Sequence, residues 1–245
     1  MPELSIIIPC LNEEHYIGRL LDCLGKQTFR DFQIIVVDSH STDGTETVVR
    51  RRMRKDRRIS LLRSPRKGVS DARNAGAWKA QAERLLFMDA DVTIGSDFLK
   101  KAMGELEERG LQVSGCCLVP DSRKLFDRLG HHLLNGWFQA MQYVWPHMVG
   151  QCIFSTRAIH RKLKGFDSTI LFAEDNDYVN RASTLARFRI LRSVRVISST
   201  RRFESENSIV LGMKYALCPF YRLIFGEIRT NIFNYRMDIP KRKKQ

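Results

Sequence analysis

Short, almost wholly apolar segments alternate with segments of helical spacing through about the first 90 residues of the chain. Apolar runs without polar alternation are typical of strands buried on both faces, and their alternation with helices indicates a parallel sheet covered by helices. The segments of strand length are residues 4–8, 33–37, 59–62 and 85–88. The segments of helical spacing are residues 17–24, 43–53 and 70–83. The sequence therefore predicts an α/β fold.

The second half of the chain is less regular but continues to alternate. Helices are predicted over residues 98–109, 125–143 and 175–186, and strands over residues 112–119, 151–155 and 189–198. The sequence has no internal repeat and no low-complexity linker. We therefore predict a single domain over residues 1–205, followed by a basic, aromatic and amphipathic C-terminal extension over residues 206–245.

Three of the predicted strands end where a binding site is expected. The first strand runs into a polar loop at Pro9, and two others end at Asp38 and Asp89. In open α/β sheets, ligands bind beyond the carboxyl ends of the strands. The sequence therefore predicts a ligand site at this edge of the sheet.

Two carboxylates, Asp89 and Asp91, follow one of these strands and are separated by a single residue. Carboxylate oxygens at that spacing can both reach a hard cation, and Mg²⁺ or Mn²⁺ prefers such ligands while keeping positions open for phosphate oxygens. The other interpretation is a turn in which Asp91 caps the following helix. The pair alone does not decide between a metal site and a turn.

Several short motifs occur in order around this pair. They are residues 5–14 (SIIIPCLNEE), 35–45 (IVVDSHSTDGT), 68–76 (GVSDARNAG), 89–91 (DAD), 165–167 (GFD) and 172–175 (FAED). As an ordered set covering roughly residues 4 to 200, they resemble a family 2 glycosyltransferase of the GT-A fold. The resemblance implies a Rossmann-like, mixed but mainly parallel sheet flanked by helices. It also implies transfer of a sugar from a nucleotide diphosphate sugar.

The resemblance assigns the nucleotide contacts to the first half of the chain. The residues that would line or contact the nucleotide and its sugar are Pro9, Leu11, Glu13, Asp38, Arg73 and Asp89. Asp38 would face the base or the ribose. Many relatives carry two adjacent acidic residues where this chain has Asp38 and Ser39, so the identity of the base stays open.

The resemblance also assigns the metal and the reaction. Asp89 would contact the ribose or metal-bound solvent, and Asp91 would ligate the Mg²⁺ or Mn²⁺ that bridges the diphosphate. Asp175 would be the general base that accepts the proton of the acceptor hydroxyl as its oxygen attacks the anomeric carbon. One base with in-line attack predicts inversion at that carbon. No obvious third protein ligand follows Asp91, so diphosphate and water would complete the coordination of the metal.

Structural alternatives accompany these roles. Asp175 could cap its helix, which is a common role for Asp at a helix start. Glu174, assigned to acceptor or phosphate contacts, could instead support the start of the helix. Arg73 could form an ion pair with Asp71 or another carboxylate rather than reach the nucleotide.

Positive charge is abundant and unevenly placed. Lys and Arg number 41 against 27 Asp and Glu, which gives a formal net charge of +14, and a field of this sign favours polyanions. Arg201 and Arg202 follow the last predicted strand and could clamp the diphosphate or an acceptor phosphate with their forked donors, or form a solvated surface pair. Residues 50–67 hold ten basic residues and one acid. No recognised nucleic-acid module accompanies this run, so the sequence argues against nucleic acid as a partner.

Two aromatic-rich segments, residues 125–145 and 209–225, are predicted to lie at the surface. The second combines helical apolar spacing with a basic tail, which is typical of an amphipathic helix that lies on a membrane. One hypothesis is peripheral attachment to an anionic membrane on its cytoplasmic face, with a lipid-linked acceptor in place of a free saccharide. The competing interpretation is a homodimer interface or a cover for the sheet.

The cysteines and the start of the chain bear on the compartment. The first residues lack the basic start, the long apolar run and the cleavage site of a secretory signal. The six cysteines are scattered and form no C-x-x-C pair, as expected of free thiols in a reducing compartment. We therefore expect a cytoplasmic protein.

Two other classes of function stay open. A nucleotidyltransferase that makes sugar nucleotides uses a related scaffold, but it presents a glycine-rich loop with a basic residue after the first strand. Here, residues 9–14 are acidic and glycine-free. A noncatalytic binding protein on the same fold would not need Asp89, Asp91 and Asp175 together. The sequence favours a glycosyltransferase.

Overall fold

The computed structural model describes residues 1–201 and 208–232. The strands are β1 (Leu4–Cys10), β2 (Phe32–Asp38), β3 (Ile59–Arg63), β4 (Arg84–Phe87), β5 (Val92–Thr93), β6 (Val113–Pro120), β7 (Ile153–Thr156) and β8 (Phe188–Ser198). The helices are α1 (Ile17–Gly25), α2 (Thr45–Met53), α3 (Val69–Lys79), α4 (Phe98–Glu108), α5 (Leu125–Met141), α6 (Arg157–Lys162), α7 (Glu174–Ser183) and α8 (Ser208–Phe225).

Within these residues, the strands form one sheet in the order β3-β2-β1-β4-β7-β6-β8-β5. β1 pairs in parallel with β2 and β4, and β2 pairs in parallel with β3. β7 joins β4 to β6 through antiparallel pairings, and β6 pairs in parallel with β8. The predicted mixed, mainly parallel sheet flanked by helices is confirmed.

The strand register brings the carboxyl ends of β1, β2 and β4 to one edge of the sheet. Cys10 at the end of β1 lies opposite Asp38 at the end of β2, and Ile7 lies opposite Phe87 at the end of β4. The seven residues of β1 are all buried, so this strand is the centre of the core. The polar residues that follow the three strands therefore emerge beside one another.

A glycine sets the position of α3 against this sheet. At Gly76, a Cβ atom would lie 2.4 Å from Cγ2 of Ile7 and 3.1 Å from Cγ2 of Val37. Such a contact is too short for any side chain, so only glycine allows the helix to approach β1 this closely. Arg73 lies on the same face of the helix three residues earlier. The close approach therefore places Arg73 at the carboxyl edge of the sheet.

The sequence patterns miss two short elements. β5 has two residues, which is too short for any periodicity to show. α6 has six residues and begins directly after β7, where the hydroxyl of Thr156 accepts a hydrogen bond from the amide of Ile159 at 3.2 Å. The predicted longer elements are all present, with ends that differ by a few residues.

The described part of the C-terminal extension packs against the loop that precedes α7. The amide of Leu171 donates to the carbonyl of Ile228 at 2.9 Å, and Arg229 pairs with Asp167 at 2.9 Å. A small apolar cluster joins Phe172, Ala173, Cys218 and Ile228, all buried. In the part of the chain that is described, no helix combines the length and apolar character needed to cross a membrane. The domain boundary near residue 205 stays a prediction.

Candidate functional site

The predicted nucleotide residues lie at the carboxyl edge of the sheet. Pro9 is buried within β1, and Leu11 and Glu13 follow in a half-buried loop. Asp38 is 7% exposed, and its two carboxylate oxygens accept from the amide of Ser41 at 3.3 and 3.2 Å. This turn holds the Asp38 carboxylate at the end of its strand.

A buried thiol shows that the acidic residues of this edge lie near one another. Cys10 is 2% exposed at the end of β1. Burial raises the pKa of the Cys10 thiol, and the negative charges of Glu13, Asp38 and Asp89 raise it further. The loops after β1, β2 and β4 therefore share one electrostatic environment.

Arg73 forms the centre of the first cluster of charges, which we call the Arg73 cluster. Its side chain is 2% exposed, and its two terminal nitrogens donate to Glu174 Oε1 at 2.8 Å and to Asp89 Oδ1 at 2.9 Å. Burial lowers the pKa of Arg73, but the charges of Asp89 and Glu174 outweigh this and hold it above its usual value. Arg73 thus pairs with these two residues rather than with Asp71, and it joins the end of β4 to the start of α7.

Asp175 lies next to this cluster and is held by two backbone amides. Its Oδ2 accepts from the amide of Gly150 at 2.6 Å, and its Oδ1 accepts from the amide of Asn176 at 2.7 Å. Burial raises the pKa of Asp175 to about 7, and the charge of Glu174 adds to this, whereas Arg73 and the two amides oppose it. A carboxyl group with such a pKa can exchange a proton near neutral pH.

Gly150 is a residue of the candidate site that the sequence patterns do not identify. A Cβ atom at this position would lie 1.9 Å from Nη2 of Arg73, so no other residue fits while Arg73 keeps its place. The backbone of Gly150 therefore touches Arg73 on one side and donates to Asp175 on the other. No motif marks it, because its role depends on a contact between residues that are distant in the chain.

The start of α7 differs from an ordinary helix cap. The residue before the helix is Ala173, which has φ 64° and ψ 34°, and no side chain caps the helix. A non-glycine residue in this left-handed region costs about 1 kcal/mol and persists only where its surroundings hold it. Asp175 lies inside the first turn of the helix and is not its cap. The side chain of Glu174 accepts a hydrogen bond from Arg73.

Arg201 forms the centre of the second cluster, which we call the Arg201 cluster. Its Nε donates to Asp91 Oδ2 at 3.1 Å, and its Nη2 donates to Glu13 Oε1. The guanidinium lies over the ring of Tyr16, with 4.3 Å between Cζ and the ring centroid. Tyr16 is a second neighbour of the site that no sequence motif marks. Arg202 lies outside the described residues.

Glu13 is the most unusual carboxylate of the Arg201 cluster. Its Oε2 is buried and has no hydrogen-bond partner among the described residues. Burial raises the pKa of Glu13 to about 7, while the hydrogen bond and charge of Arg201 oppose this and the charges of Asp91 and Asp89 add to it. An unsatisfied buried oxygen beside two other carboxylates is suited to a ligand that brings positive charge or a proton.

The carboxylates of the two clusters could supply only some of the ligands that a hard divalent ion needs. Asp89 and Asp91 offer the carboxylate oxygens that Mg²⁺ and Mn²⁺ prefer, and the orphaned Glu13 oxygen lies near them. Each aspartate pairs here with an arginine. Among residues 1–201 and 208–232, no three His, Cys, Asp or Glu side chains are grouped to hold a metal ion by themselves. A metal bound here would need further oxygens from a ligand or from water.

Asn74 joins two motifs that lie far apart in the sequence. Its side-chain amide donates to the carbonyl of Phe166 at 2.8 Å and accepts from the amide of Phe166 at 2.8 Å. The ring centroid of Phe166 in turn lies 5.1 Å from Cζ of Arg73. The motif at residues 68–76 and the motif at residues 165–167 therefore form one support for Arg73.

Comparison with known proteins shows a family match and similar chains. The sequence model described as "Glycosyl transferase family 2" matches residues 5–166, well over half of the chain. An uncharacterized glycosyltransferase, EpsJ, from Bacillus subtilis is 25% identical over 84% of this chain and 62% of its own length. A GalNAc(5)-diNAcBac-PP-undecaprenol beta-1,3-glucosyltransferase from Campylobacter jejuni is 32% identical over 49% of this chain and 39% of its own length. The chain thus spans less than two thirds of these curated relatives.

Two solved structures resemble the fold. Residues 1–349 of TarS from S. aureus in complex with UDP-GlcNAc superpose with a TM-score of 0.70 and 22% identity, covering 98% of this chain and 77% of that fragment. The mannosyltransferase PcManGT from Pyrobaculum calidifontis, in complex with GDP-Man and Mn²⁺, superposes with a TM-score of 0.69 and 22% identity, covering 88% and 64%. At this identity the likeness concerns the fold, and it confirms the GT-A architecture.

Proposed function

Because the chain belongs to glycosyltransferase family 2, we propose that it transfers a sugar from a nucleotide diphosphate sugar to an acceptor hydroxyl or a lipid-linked phosphate acceptor, with inversion at the anomeric carbon. One observation carries the proposal: the single buried side chain of Arg73 joins Asp89, on the donor side, to Glu174, the neighbour of Asp175. The candidate donor site and the candidate base are therefore parts of one charged centre.

Asp175 acts as the general base in this proposal. Its pKa of about 7 matches the requirement that a base be ionised near neutral pH and still hold a proton well. The amides of Gly150 and Asn176 fix both of its oxygens. The base accepts the acceptor proton on one side of the sugar while the nucleotide leaves on the other, and this arrangement inverts the anomeric carbon.

The donor occupies the loops at the carboxyl ends of β1, β2 and β4. Pro9, Leu11 and Glu13 line the nucleotide pocket, and Asp38 contacts the base or the ribose. Arg73 supports this pocket through Asp89. The TarS and PcManGT structures are complexes with UDP-GlcNAc and GDP-Man, which supports a nucleotide diphosphate sugar as the class of donor.

Asp91, with Asp89, would hold the Mg²⁺ or Mn²⁺ that the donor brings. When bound, the ion supplies positive charge that stabilises the leaving diphosphate. Arg201 adds a forked cation at the same place, and on donor binding its guanidinium exchanges Asp91 and Glu13 for phosphate oxygens. Glu174 keeps Arg73 in position and contacts the acceptor side.

A thermal-shift panel tests donor binding directly. UDP-, GDP-, dTDP- and CDP-sugars are added with and without Mn²⁺, and the correct donor raises the melting temperature with the logarithm of its concentration. We expect one nucleotide to stabilise the protein more strongly with Mn²⁺ than without it. The absence of any shift across the panel would contradict the proposed donor class.

A matched pair of variants tests the base. Asp175→Asn is expected to keep the donor-induced shift and to lose transfer by about 100- to 10,000-fold. Asp97→Asn changes a carboxylate that binds the hydroxyl of Thr28 at 3.0 Å, and it should keep full transfer. If Asp175→Asn retains transfer, the base is misassigned. Donor binding without transfer by the wild type to any acceptor would favour the noncatalytic alternative.

A further inference from the structure

The outer face of α5 carries an apolar stripe. Leu125, Leu129, Leu133 and Trp137 follow one another at intervals of four residues and are 80%, 53%, 65% and 40% exposed. At about 1.5 Å per residue, this stripe is about 18 Å long. The opposite face of the helix covers β6, where the side-chain amide of Asn135 bonds to the backbone of Leu118. α5 therefore has a packed inner face and an apolar outer face.

α8 also carries exposed apolar side chains on its outer face. Leu217, Phe220, Leu223 and Ile224 are 56%, 61%, 70% and 71% exposed. Its inner face holds Cys218 and the charged Arg222, which are 4% and 6% exposed. In a helix at the surface of a water-soluble protein, the apolar side faces the core. Here much of the apolar side faces outward instead.

α8 contacts the segment that follows α5. The guanidinium of Arg222 lies 5.8 Å from the ring centroid of Trp145, which follows α5. Arg222 is also held by Glu227 at 2.7 and 2.8 Å, so this contact is fixed from both sides. This contact places the segment after α5 beside α8, and we call the exposed apolar residues of the two helices together the α5–α8 surface. Extended exposed apolar surfaces mark sites of association.

We propose that the α5–α8 surface lies in the headgroup region of an anionic lipid bilayer. Charge favours this occupant over a second copy of the chain, because each copy carries a net charge of +14 and two copies would repel. Residues 208–232 contain three basic residues and one acid, and residues 233–245 contain five basic residues and one acid. Aromatic and aliphatic side chains next to such basic sequence are typical of segments that lie on anionic membranes.

The location of the surface adds a consequence for the acceptor, and this step rests on the proposed function. The inner face of α8 packs through Cys218 against Phe172 and Ala173, which lie three and two residues before Asp175. A bilayer on the outer face of α8 would therefore lie on the side of the molecule that carries the loop leading to Asp175. The class of acceptor that fits is a lipid-linked hydroxyl or phosphate presented at the membrane surface.

Vesicle flotation of the full chain tests the surface. The probes are vesicles of phosphatidylcholine alone and vesicles that also contain phosphatidylglycerol, each at low and high salt. We expect flotation with the anionic vesicles and a loss of binding as salt rises, since salt screens the attraction. Failure to float with anionic vesicles at low salt would overturn the proposal.

Charge-matched variants separate apolar insertion from simple attraction. Phe220→Glu with Ile224→Glu, and Leu129→Glu with Leu133→Glu, should each weaken binding by about tenfold or more, because buried apolar area is lost. Trp78→Glu with Leu185→Glu changes the charge equally at side chains that are 81% and 47% exposed elsewhere, and it should weaken binding far less. Equal losses in all three variants would overturn the proposal.

Light scattering decides between the bilayer and a second copy. We expect a monomer in solution for the wild type and all variants. A wild-type dimer that the α8 variant converts to a monomer, without lipid binding, would assign the surface to copies of the chain and overturn the proposal. The donor-induced thermal shift is measured without lipid, so a failure of the membrane surface is distinguishable from a failure of the proposed function.

Discussion

Arg73 and Arg201 each span two carboxylates, and each takes one of them from the pair Asp89 and Asp91. The difference between them is their surroundings. Arg73 is 2% exposed and is enclosed by Gly150 and Phe166. Arg201 is 18% exposed and rests on a single ring. The first arginine is part of the core, whereas the second can exchange its partners for those of a ligand.

Each cluster also contains or adjoins one carboxyl group whose pKa is raised to about 7. In the Arg201 cluster this group is Glu13, and beside the Arg73 cluster it is Asp175. Burial is the main cause in both. The supports differ, because two backbone amides hold Asp175, whereas one oxygen of Glu13 is unsatisfied. The comparison indicates a carboxyl group fixed by the backbone on one side and a carboxyl group with an open hydrogen-bonding position on the other.

We expect the largest effect, a loss of unfolding free energy, from replacing the buried Arg73. Arg73→Met leaves Asp89 and Glu174 without their partner, and loss of one member of a buried pair costs about 3–5 kcal/mol of unfolding free energy. Arg201→Met should cost less, since the Arg201 side chain is 18% exposed whereas the Arg73 side chain is 2% exposed. Urea denaturation of both variants measures the difference. Equal losses would remove the distinction between a core arginine and an exchangeable one.

The next effect concerns transfer rather than stability. Arg201→Met should reduce kcat/KM by about 10- to 100-fold, the effect of losing charge-assisted hydrogen bonds to phosphate. The unfolding free energy of this variant, measured in the same buffer, controls for a loss of folded protein. Steady-state kinetics at saturating Mn²⁺ measures the change. Full activity in Arg201→Met would show that the guanidinium has no contact with the donor.

The pH dependence separates the two raised carboxyl groups. Asp175 must be ionised to act as a base, so kcat/KM should fall about tenfold per pH unit below about pH 7. This acid limb should persist in Glu13→Gln, because Glu13 is not the base. If the fall in kcat/KM below about pH 7 disappears in Glu13→Gln, Glu13 rather than Asp175 would be the base.

The same groups make folding depend on pH with a definite sign. The pKa of Asp175 is raised from 3.8 to about 7 in the folded chain. Between these values the folded chain holds a proton that the unfolded chain has lost, so the unfolding free energy falls as pH rises through this window. Glu13 acts in the same direction from 4.5 to about 7. Urea titrations from pH 4 to pH 8 should show a shallower fall in Asp175→Asn.

The smallest effect tests the support behind Asp175. Arg229→Ala removes an ion pair with Asp167 whose two side chains are 52% and 32% exposed, and exposed pairs contribute about 0.2–1 kcal/mol. We expect a slight loss of stability and unchanged donor binding. Arg50→Ala, which breaks a comparably exposed pair with Glu46, is the control. Loss of transfer in Arg229→Ala alone would show that the C-terminal segment positions the base.

The order of the strands and helices could be predicted because β1, β2 and β4 are continuous apolar runs. Such runs are typical of strands that are buried on both faces of a parallel sheet. The acidic residues at the strand ends could be found for the same reason. The partners of Arg73 could not, since Asp89 and Glu174 lie 16 and 101 residues away along the chain. β5 could not be predicted, because a strand of two residues is too short to show an alternation of apolar and polar side chains. The outward apolar face of α8 was only partly visible, because spacing shows that a helix is amphipathic and not which side faces inward.

Gly150 touches the guanidinium of Arg73 and donates its amide to Asp175. The spacing between Arg73 and Asp175 is therefore set in part by main-chain atoms of Gly150. In a reaction that unites two molecules, that spacing decides whether bound partners are within reach of each other. If the proposed reaction takes place here, loops further from Gly150 can change in sequence while the gap between donor and acceptor keeps its length.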